Sequence, residues 1–171
     1  MIDRILGIFK LDVNTFEEIE HDSGATSQAA IIVAIVAVLS GMGSGIGASL
    51  GQGSFFISFI LTLVWAFIAW ILWAAVSWFV GTRLFGGQAT VDEMLRVLGF
   101  AQAPLMLGLI PCIGGVIGGI WALVAGFIAI RQGLDLDNLK ALFTALIGFV
   151  FVAIGYALIG SLAGGLGAIL G

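Results

Sequence analysis

Long stretches without a charged residue constrain this chain more than any other feature of its sequence. The first two cover residues 28–50 and 55–81. A helix needs about 20 apolar residues to cross a hydrocarbon layer of roughly 30 Å, so each stretch is long enough to span a membrane. Three further apolar stretches, residues 94–110, 113–130 and 142–170, bring the predicted number of spans to five; Arg96 near the start of the first of these is the one charged residue among them.

The composition supports lipid as the main solvent of the chain. Charged residues make up 9% of the sequence and hydrophobic residues 61%, whereas ordinary soluble domains are about 25% charged. This excludes a water-soluble enzyme and a disordered tail. The 6 basic residues against 10 acidic ones leave no basic face for nucleic acid. We therefore predict an all-α, polytopic membrane protein that is embedded in the lipid bilayer, which is its expected partner.

The charged residues are segregated along the chain. They fall in the N-terminal segment and in or beside the links at residues 82–93 and 131–140. The joints at 51–54 and 111–112, and the C-terminal tip, carry no charge. With five spans, all charges lie on one side of the membrane. The excess of Lys and Arg in cytoplasmic loops then predicts a cytoplasmic N-terminus and a C-terminus outside.

The first 27 residues form a separate predicted unit, with residues 28–171 as the membrane domain. This segment contains two basic and six acidic side chains, and the rest of the chain is neutral. Ile2, Ile5, Leu6 and Phe9 recur at helical spacing between charges, which predicts an amphipathic helix lying on the membrane surface. Thr15, with Glu18 three residues later, has the spacing of a capping box.

Four carboxylates crowd the end of this segment, beside the only histidine, His21. No calcium-loop spacing is present, so a basic partner surface is favoured over a metal ion. A solvated face or linker is the simpler interpretation. The candidate partner-binding residues are Glu17, Glu18, Glu20 and Asp22.

Small residues recur every fourth position at the end of the first span, at Gly43, Gly47 and Gly51. Such a stripe lets another helix approach closely. Packing within this chain is the more common cause, and docking of a partner membrane helix is the alternative. We therefore include these three glycines among the candidate partner-binding residues.

Pro104 interrupts the third predicted span and crowds the carbonyl of Phe100, so a kink is expected there. Gln102 could satisfy a freed backbone group or form a hydrogen bond across helices. A structural kink is the simpler interpretation of these two residues, and a ligand site is the alternative.

Reactive groups are scarce. No ionisable residue lies in the middle of a predicted span, where ion carriers usually place one. With one His and one Cys, neither a nucleophile–base pair within the membrane nor a cysteine metal cluster is expected. The sequence therefore predicts no enzyme activity, no cofactor and no metal. Asp135 and Asp137 are expected at a helix N-terminus, where negative charge is favourable.

Three motifs together resemble the Yip1 domain family in its small prokaryotic form, over about residues 10–165. The most specific is the run GTRLFGGQAT at 81–90, followed by Glu93 and by LRVLGFAQAP at 95–104, with a Thr-x-x-Glu helix start. The others are TFEEIE at 15–20 with ATSQAA at 25–30, and Trp121 followed by IAIR at 128–131. The resemblance implies five membrane helices, a cytoplasmic N-terminal region and, for this form, a prokaryotic plasma (inner) membrane.

Eukaryotic members of that family act in vesicle traffic and bind Rab-type GTPases, a role that this chain's short N-terminal segment does not justify carrying over. The sequence instead predicts a non-enzymatic membrane scaffold or accessory subunit that packs against a partner membrane protein or a second copy of itself. The alternatives are a transporter or channel for a neutral or lipid-like molecule, and a membrane recruiter of a cytoplasmic GTPase or enzyme.

Overall fold

The protein is built from helices throughout residues 1–51, 53–110 and 113–170, the part that the computed structural model describes. Two short helices come first, followed by two long helices, two short ones and two more long ones. In chain order the elements are α1 (Ile2–Phe9), α2 (Val13–His21), α3 (Ala25–Leu50), α4 (Phe55–Phe85), α5 (Val91–Phe100), a 3-10 helix (Ala103–Leu109), α6 (Gly114–Gly133) and α7 (Asn138–Leu170).

Among the described residues, four helices are long and apolar enough to cross a membrane. They are α3, α4, α6 and the Asn138–Leu162 part of α7. The shortest, α6, has 20 residues, which at about 1.5 Å per residue is close to the roughly 30 Å hydrocarbon thickness. These four helices confirm the predicted multi-pass, all-α architecture.

The prediction of five membrane helices is wrong. The third predicted span, residues 94–110, is divided between α5, which has 10 residues, and the 3-10 helix, which has 7. Neither is long enough to cross alone. Val97, Leu98 and Phe100 are fully buried within the protein, so the apolar character of the first part of this stretch reflects a protein core. A hydropathy pattern cannot distinguish a helix buried in protein from one buried in lipid.

The α5–3-10 pair runs antiparallel along α6. Gly133, at the end of α6, lies against Val97 and Met94 of α5, while Gly118 lies against the backbone of Pro104. Residues 96–104 thus lie in the interior of the bundle, with α3 and α4 packed on the other sides of α5, whereas Leu109 near the end of the 3-10 helix is 67% exposed.

Helix ends follow local chemistry. Thr90 and Glu93 form a complete capping box at the start of α5, as the Thr-x-x-Glu motif predicts. Asp137 accepts hydrogen bonds from the Leu139 and Lys140 amides and so begins α7, as expected. Asp135 instead lies in the preceding turn with φ 51°.

Two predicted boundaries differ from the structure. Asp12, and not Thr15, caps α2 by accepting a hydrogen bond from the Asn14 amide, and Thr15 is buried inside that helix against Gly7. The capping box predicted at Thr15 and Glu18 is therefore wrong. Helix α4 extends beyond the predicted end at residue 81 to Phe85, where Gly86 adopts the left-handed φ of 74° that ends it.

Glycines facing aromatic rings hold the long helices together. A Cβ on Gly45 of α3 would lie 2.6 Å from the Phe55 ring of α4. On α7, Gly155 packs on Trp65 in the same way. Large rings on one helix fill the space that glycines leave on the next, which allows close backbone approach in a membrane bundle.

Replacing Gly155 by Ala should destabilise the bundle, because the added methyl group would overlap the Trp65 ring. We expect a loss of about 1–3 kcal/mol, as for an overpacked core, measured as thermal unfolding in detergent. Gly160→Ala is the matched control on the same helix, because no atom lies within 4 Å of the added carbon. Equal melting temperatures for the two variants would contradict this packing.

Candidate functional site

The charged and polar residues gather at one end of the bundle, named here the polar end: residues 1–28, 82–93 and 131–140. Helices α4 and α6 both end there, and the Gln88 amide donates to the Leu134 carbonyl at 3.1 Å, which joins the two links. The Lys140 ammonium donates to the Phe85 carbonyl at 3.3 Å. The predicted grouping of charges on one side is thus a feature of the folded bundle.

Arg4 fastens α1 to α2 at the polar end. Its guanidinium lies 2.8 Å from a Glu18 carboxylate oxygen and 2.7 Å from one of Asp22. Hydrogen bonds from Arg4 and from the Gly24 amide hold the pKa of Asp22 below its usual range. Exposed ion pairs of this kind stabilise weakly, by about 0–1 kcal/mol each, so they orient the two helices more than they stabilise the fold.

Apolar residues anchor the same two helices to the membrane bundle. Ile8, Phe16 and Ile19 are fully buried in one core with Ala29 of α3. The Glu17 carboxylate accepts a 2.7 Å hydrogen bond from the Gln132 amide at the end of α6. The N-terminal segment therefore packs closely on the bundle. Its description as a separate unit, ending at residue 27, stays a prediction.

Glu20 lies in an open polar pocket of about 690 Å³ at this end. Partial burial, and then the negative charges of Asp135, Glu93 and Glu17, raise its pKa to about 7, while nearby His21 acts in the opposite direction. Glu20 therefore exchanges its proton near neutral pH. Within the described residues, no group of three His, Cys, Asp or Glu side chains is arranged to hold a metal ion.

Three of the four predicted acidic contact residues form hydrogen bonds or ion pairs within this chain, and the fourth lines a pocket. Glu18 and Asp22 pair with Arg4, Glu17 pairs with Gln132, and Glu20 lines the polar pocket. Their carboxylates are partly engaged in holding α2 in place. Their role in binding a partner stays a prediction.

Arg96 is a buried charge beside the link at residues 82–93. It is 5% exposed, and its guanidinium lies 3.2 Å from Asp92. Its Nε has no hydrogen-bond partner among the described residues, which costs a buried polar group roughly 1–3 kcal/mol. The i,i+4 spacing of Asp92 and Arg96 on a capped helix was the available signal.

The glycines of α3 divide into two faces. Gly41 and Gly45 lie against Phe59 and Phe55 of α4, while Gly43 and Gly47 have no atom within 4 Å of where a Cβ would be. Gly51 ends the helix. Of the three predicted contact glycines, Gly43 and Gly47 therefore form an outward face, named here the open glycine face.

Gln102 and Pro104 lie where α5 gives way to the 3-10 helix. Helix α5 ends at Phe100, and Pro104 occupies the first turn of the 3-10 helix, where its missing N–H leaves no helix bond broken. Gln102 is 9% exposed and lines a cavity. No described residue forms a hydrogen bond with its side-chain amide.

That cavity has a volume of about 340 Å³ and lies between α4, α6, α7 and the break after α5. It lies close to the middle of α4, α6 and α7 along their length, since Trp70, Leu123 and Val152 line it. It could not be predicted from the sequence, because it depends on how four elements pack together. The lining comprises Ala66, Ala69, Trp70, Trp73, Gln102, Leu105, Gly119, Ala122, Leu123, Phe149, Val152 and Tyr156.

Glu20→Gln should stabilise the protein above pH 7 and leave it unchanged near pH 4. The pKa of Glu20 is about 7 in the fold against 4.5 as the ordinary value, so the folded state binds the proton more tightly. Stability from this group is fully present below pH 4.5 and is lost as the pH rises through 7. Melting temperatures between pH 4 and 8.5 would measure this.

Asp22→Asn provides a control of opposite sign. Because Arg4 lowers the pKa of Asp22, this carboxylate stabilises the fold above pH 4, and that contribution is lost as the pH falls through its depressed pKa. The variant should therefore melt lower than wild type at pH 7. If the melting temperature of Glu20→Gln depends on pH in the same way as that of wild type, the loss of stability near neutral pH does not come from Glu20.

Comparison with known proteins adds one match. The Yip1 domain family matches residues 6–162, which includes the polar end, all four long helices and the α5–3-10 pair. No curated protein and no solved structure matches the chain. Because the match covers nearly the whole sequence, this integral membrane protein belongs to the Yip1 domain family.

Proposed function

We propose that this protein is a non-enzymatic membrane scaffold or accessory subunit that packs against partner membrane proteins. The open glycine face of α3 carries the proposal. Two of the helix's glycines are used for α4, whereas Gly43 and Gly47 leave a shallow groove that no described part of the chain fills. Small residues at this spacing are typical of close helix pairs in membranes.

The side chains beside this groove match an apolar partner helix. Met42 and Ile46 are 47% and 53% exposed, and α3 has no charged residue. A transmembrane helix from another protein, or from a second copy, would bury these side chains without desolvating a charge. The occupant would therefore be held by shape and by van der Waals contact.

The polar end would form the cytoplasmic contact surface in this proposal. Arg83, Asp92 and Glu17 are exposed there, and α1 leaves Ile2 and Leu6 exposed at 70% and 52%. These two side chains are one helical turn apart, which supports placing α1 at the membrane surface as an amphipathic helix. Ion pairing with a basic partner would use the carboxylates that remain accessible.

The proposed orientation places the polar end in the cytoplasm and the C-terminal end of α7 outside. The four basic residues beyond the N-terminal segment support this, because Arg83, Arg131 and Lys140 belong to the polar end and Arg96 lies three residues from it. Helix α7 begins there and runs antiparallel to α4, with Gly148 beside Trp73 and Gly155 beside Trp65. Its far end is therefore at the opposite side of the bundle.

Substituting Gly43 and Gly47 together by Leu should separate the protein from its partner without unfolding it. Both positions have space for a side chain in the isolated chain, but a Leu would keep a neighbouring backbone at a distance. The particle mass in mild detergent should fall to that of one chain, and mass spectrometry should lose a companion that wild type retains reproducibly.

Gly160→Leu is the matched control, since it also adds an outward side chain but on α7. It should keep the wild-type particle. If wild type itself purifies as a single chain without a companion, or if both variants behave alike, the scaffold proposal is wrong.

A second candidate function, binding or transport of a neutral lipid-like molecule, is favoured by one observation. The cavity at mid-depth is apolar and contains a buried glutamine without a partner among the described residues.

A further inference from the structure

The cavity between α4, α6 and α7 opens toward lipid. The exposed members of its lining are Leu123 of α6, which is 45% exposed, and Phe149 and Tyr156 of α7, which are 43% and 48% exposed. Its mouth therefore lies between these two helices, near the middle of their length. A molecule would reach it laterally from the hydrocarbon layer, and its volume of about 340 Å³ is in the range of small-molecule pockets.

Its lining excludes a charged ligand. No Asp, Glu, Lys, Arg or His is among the lining residues, and an unpaired ion within a hydrocarbon layer is strongly unfavourable. The polar side-chain groups that line it are the Gln102 amide and the Tyr156 hydroxyl, because the Trp70 indole N–H donates to the Leu95 carbonyl and the Trp73 indole N–H is fully buried. The amide and the hydroxyl can both donate a hydrogen bond. The ligand must therefore be uncharged, and an acceptor group on it would be bound by these donors.

The tryptophans of the bundle show which donors are unused. The indole N–H groups of Trp70, Trp78 and Trp121 donate to backbone carbonyls at 2.9–3.0 Å. Those of Trp65 and Trp73 are buried without a partner among the described residues, but Trp65 is outside the cavity lining and the Trp73 nitrogen lies against Gly148. The Gln102 amide lines the cavity and forms no hydrogen bond with a described residue. Polar groups in protein interiors are nearly always satisfied, so Gln102 points to a missing hydrogen-bond partner in the cavity.

The depth of the cavity decides between two kinds of lipid-soluble acceptor. The ester carbonyls of a phospholipid lie near the edge of the hydrocarbon core, about 15 Å from its midplane. Residues such as Trp70 and Leu123 are central in their helices. The carbonyl group that reaches Gln102 must therefore belong to a molecule that moves within the hydrocarbon layer.

The walls favour a planar ring. Trp70, Trp73, Phe149 and Tyr156 offer aromatic surfaces, which pack well on another ring in offset or edge-on geometry. Gly119 leaves space within this wall, because no atom lies within 4 Å of where its Cβ would be. We propose that the cavity binds an uncharged, lipid-soluble ring compound with carbonyl acceptors, of the quinone class, with Gln102 donating to a ring carbonyl.

This site is separate from the open glycine face, so it does not depend on the scaffold role. A short-chain quinone, decylubiquinone, is a suitable probe in lipid nanodiscs. It should quench tryptophan emission saturably in wild type. Gly119→Leu should remove the saturable part by filling the cavity, while Gly115→Leu, one turn away and equally open but outside the lining, should retain it.

Gln102→Met tests the carbonyl contact and keeps the side chain about the same size. It should weaken quinone binding roughly three- to tenfold, the effect of one neutral hydrogen bond, with an unchanged melting temperature. Decylbenzene, which has a similar tail but no carbonyl, should compete weakly with decylubiquinone.

Quenching that never saturates, or that is equal in Gly119→Leu and Gly115→Leu, would overturn the site. Equal binding of both probes, unaffected by Gln102→Met, would overturn the assignment of a carbonyl ligand.

Discussion

Every backbone N–H and C=O within the hydrocarbon layer must find its hydrogen-bond partner inside the protein. Four long helices meet this requirement by themselves. The stretch after α5 does not, because the α-helix ends at Phe100 and continues only as a 3-10 helix after a two-residue turn. Such a break is tolerated at membrane depth only where protein surrounds it. The arrangement of α3, α4 and α6 around this pair follows from that requirement.

Close packing around the break depends on pairing small residues with large ones. Gly99 of α5 lies against Ala29 of α3, and Gly118 of α6 lies against the backbone at Pro104. On the far side of α4, Trp65 and Trp73 fill the space left by glycines of α7. Packing among the described residues leaves a cavity between α4, α6 and α7.

The long helices and the polar end could be predicted from the sequence, because both depend on local properties. Uncharged runs of sufficient length marked α3, α4, α6 and α7, and Thr90 with Glu93 marked the start of α5. The buried pair could not be predicted as such, since residues 94–110 are as apolar as a lipid-facing span. Hydrogen bonds such as Gln132 to Glu17 and Trp121 to the Phe9 carbonyl join residues more than a hundred positions apart, so no spacing rule reveals them. The cavity and the division of the α3 glycines into two faces depend on the same long-range packing.

The enclosure of residues 96–104, where α5 ends and the 3-10 helix begins, is the central claim, and the lipid contact of these residues tests it most directly. A phospholipid carrying a photoreactive diazirine near its chain terminus would label the protein in nanodiscs, with adducts mapped by mass spectrometry. Residues 96–104 are buried throughout, whereas Val150 and Phe151 of α7 are 52% and 51% exposed. We expect abundant adducts at 149–151 and none at 96–104. Adducts of similar abundance on both segments would contradict the account, because α5 would then face lipid as an independent span.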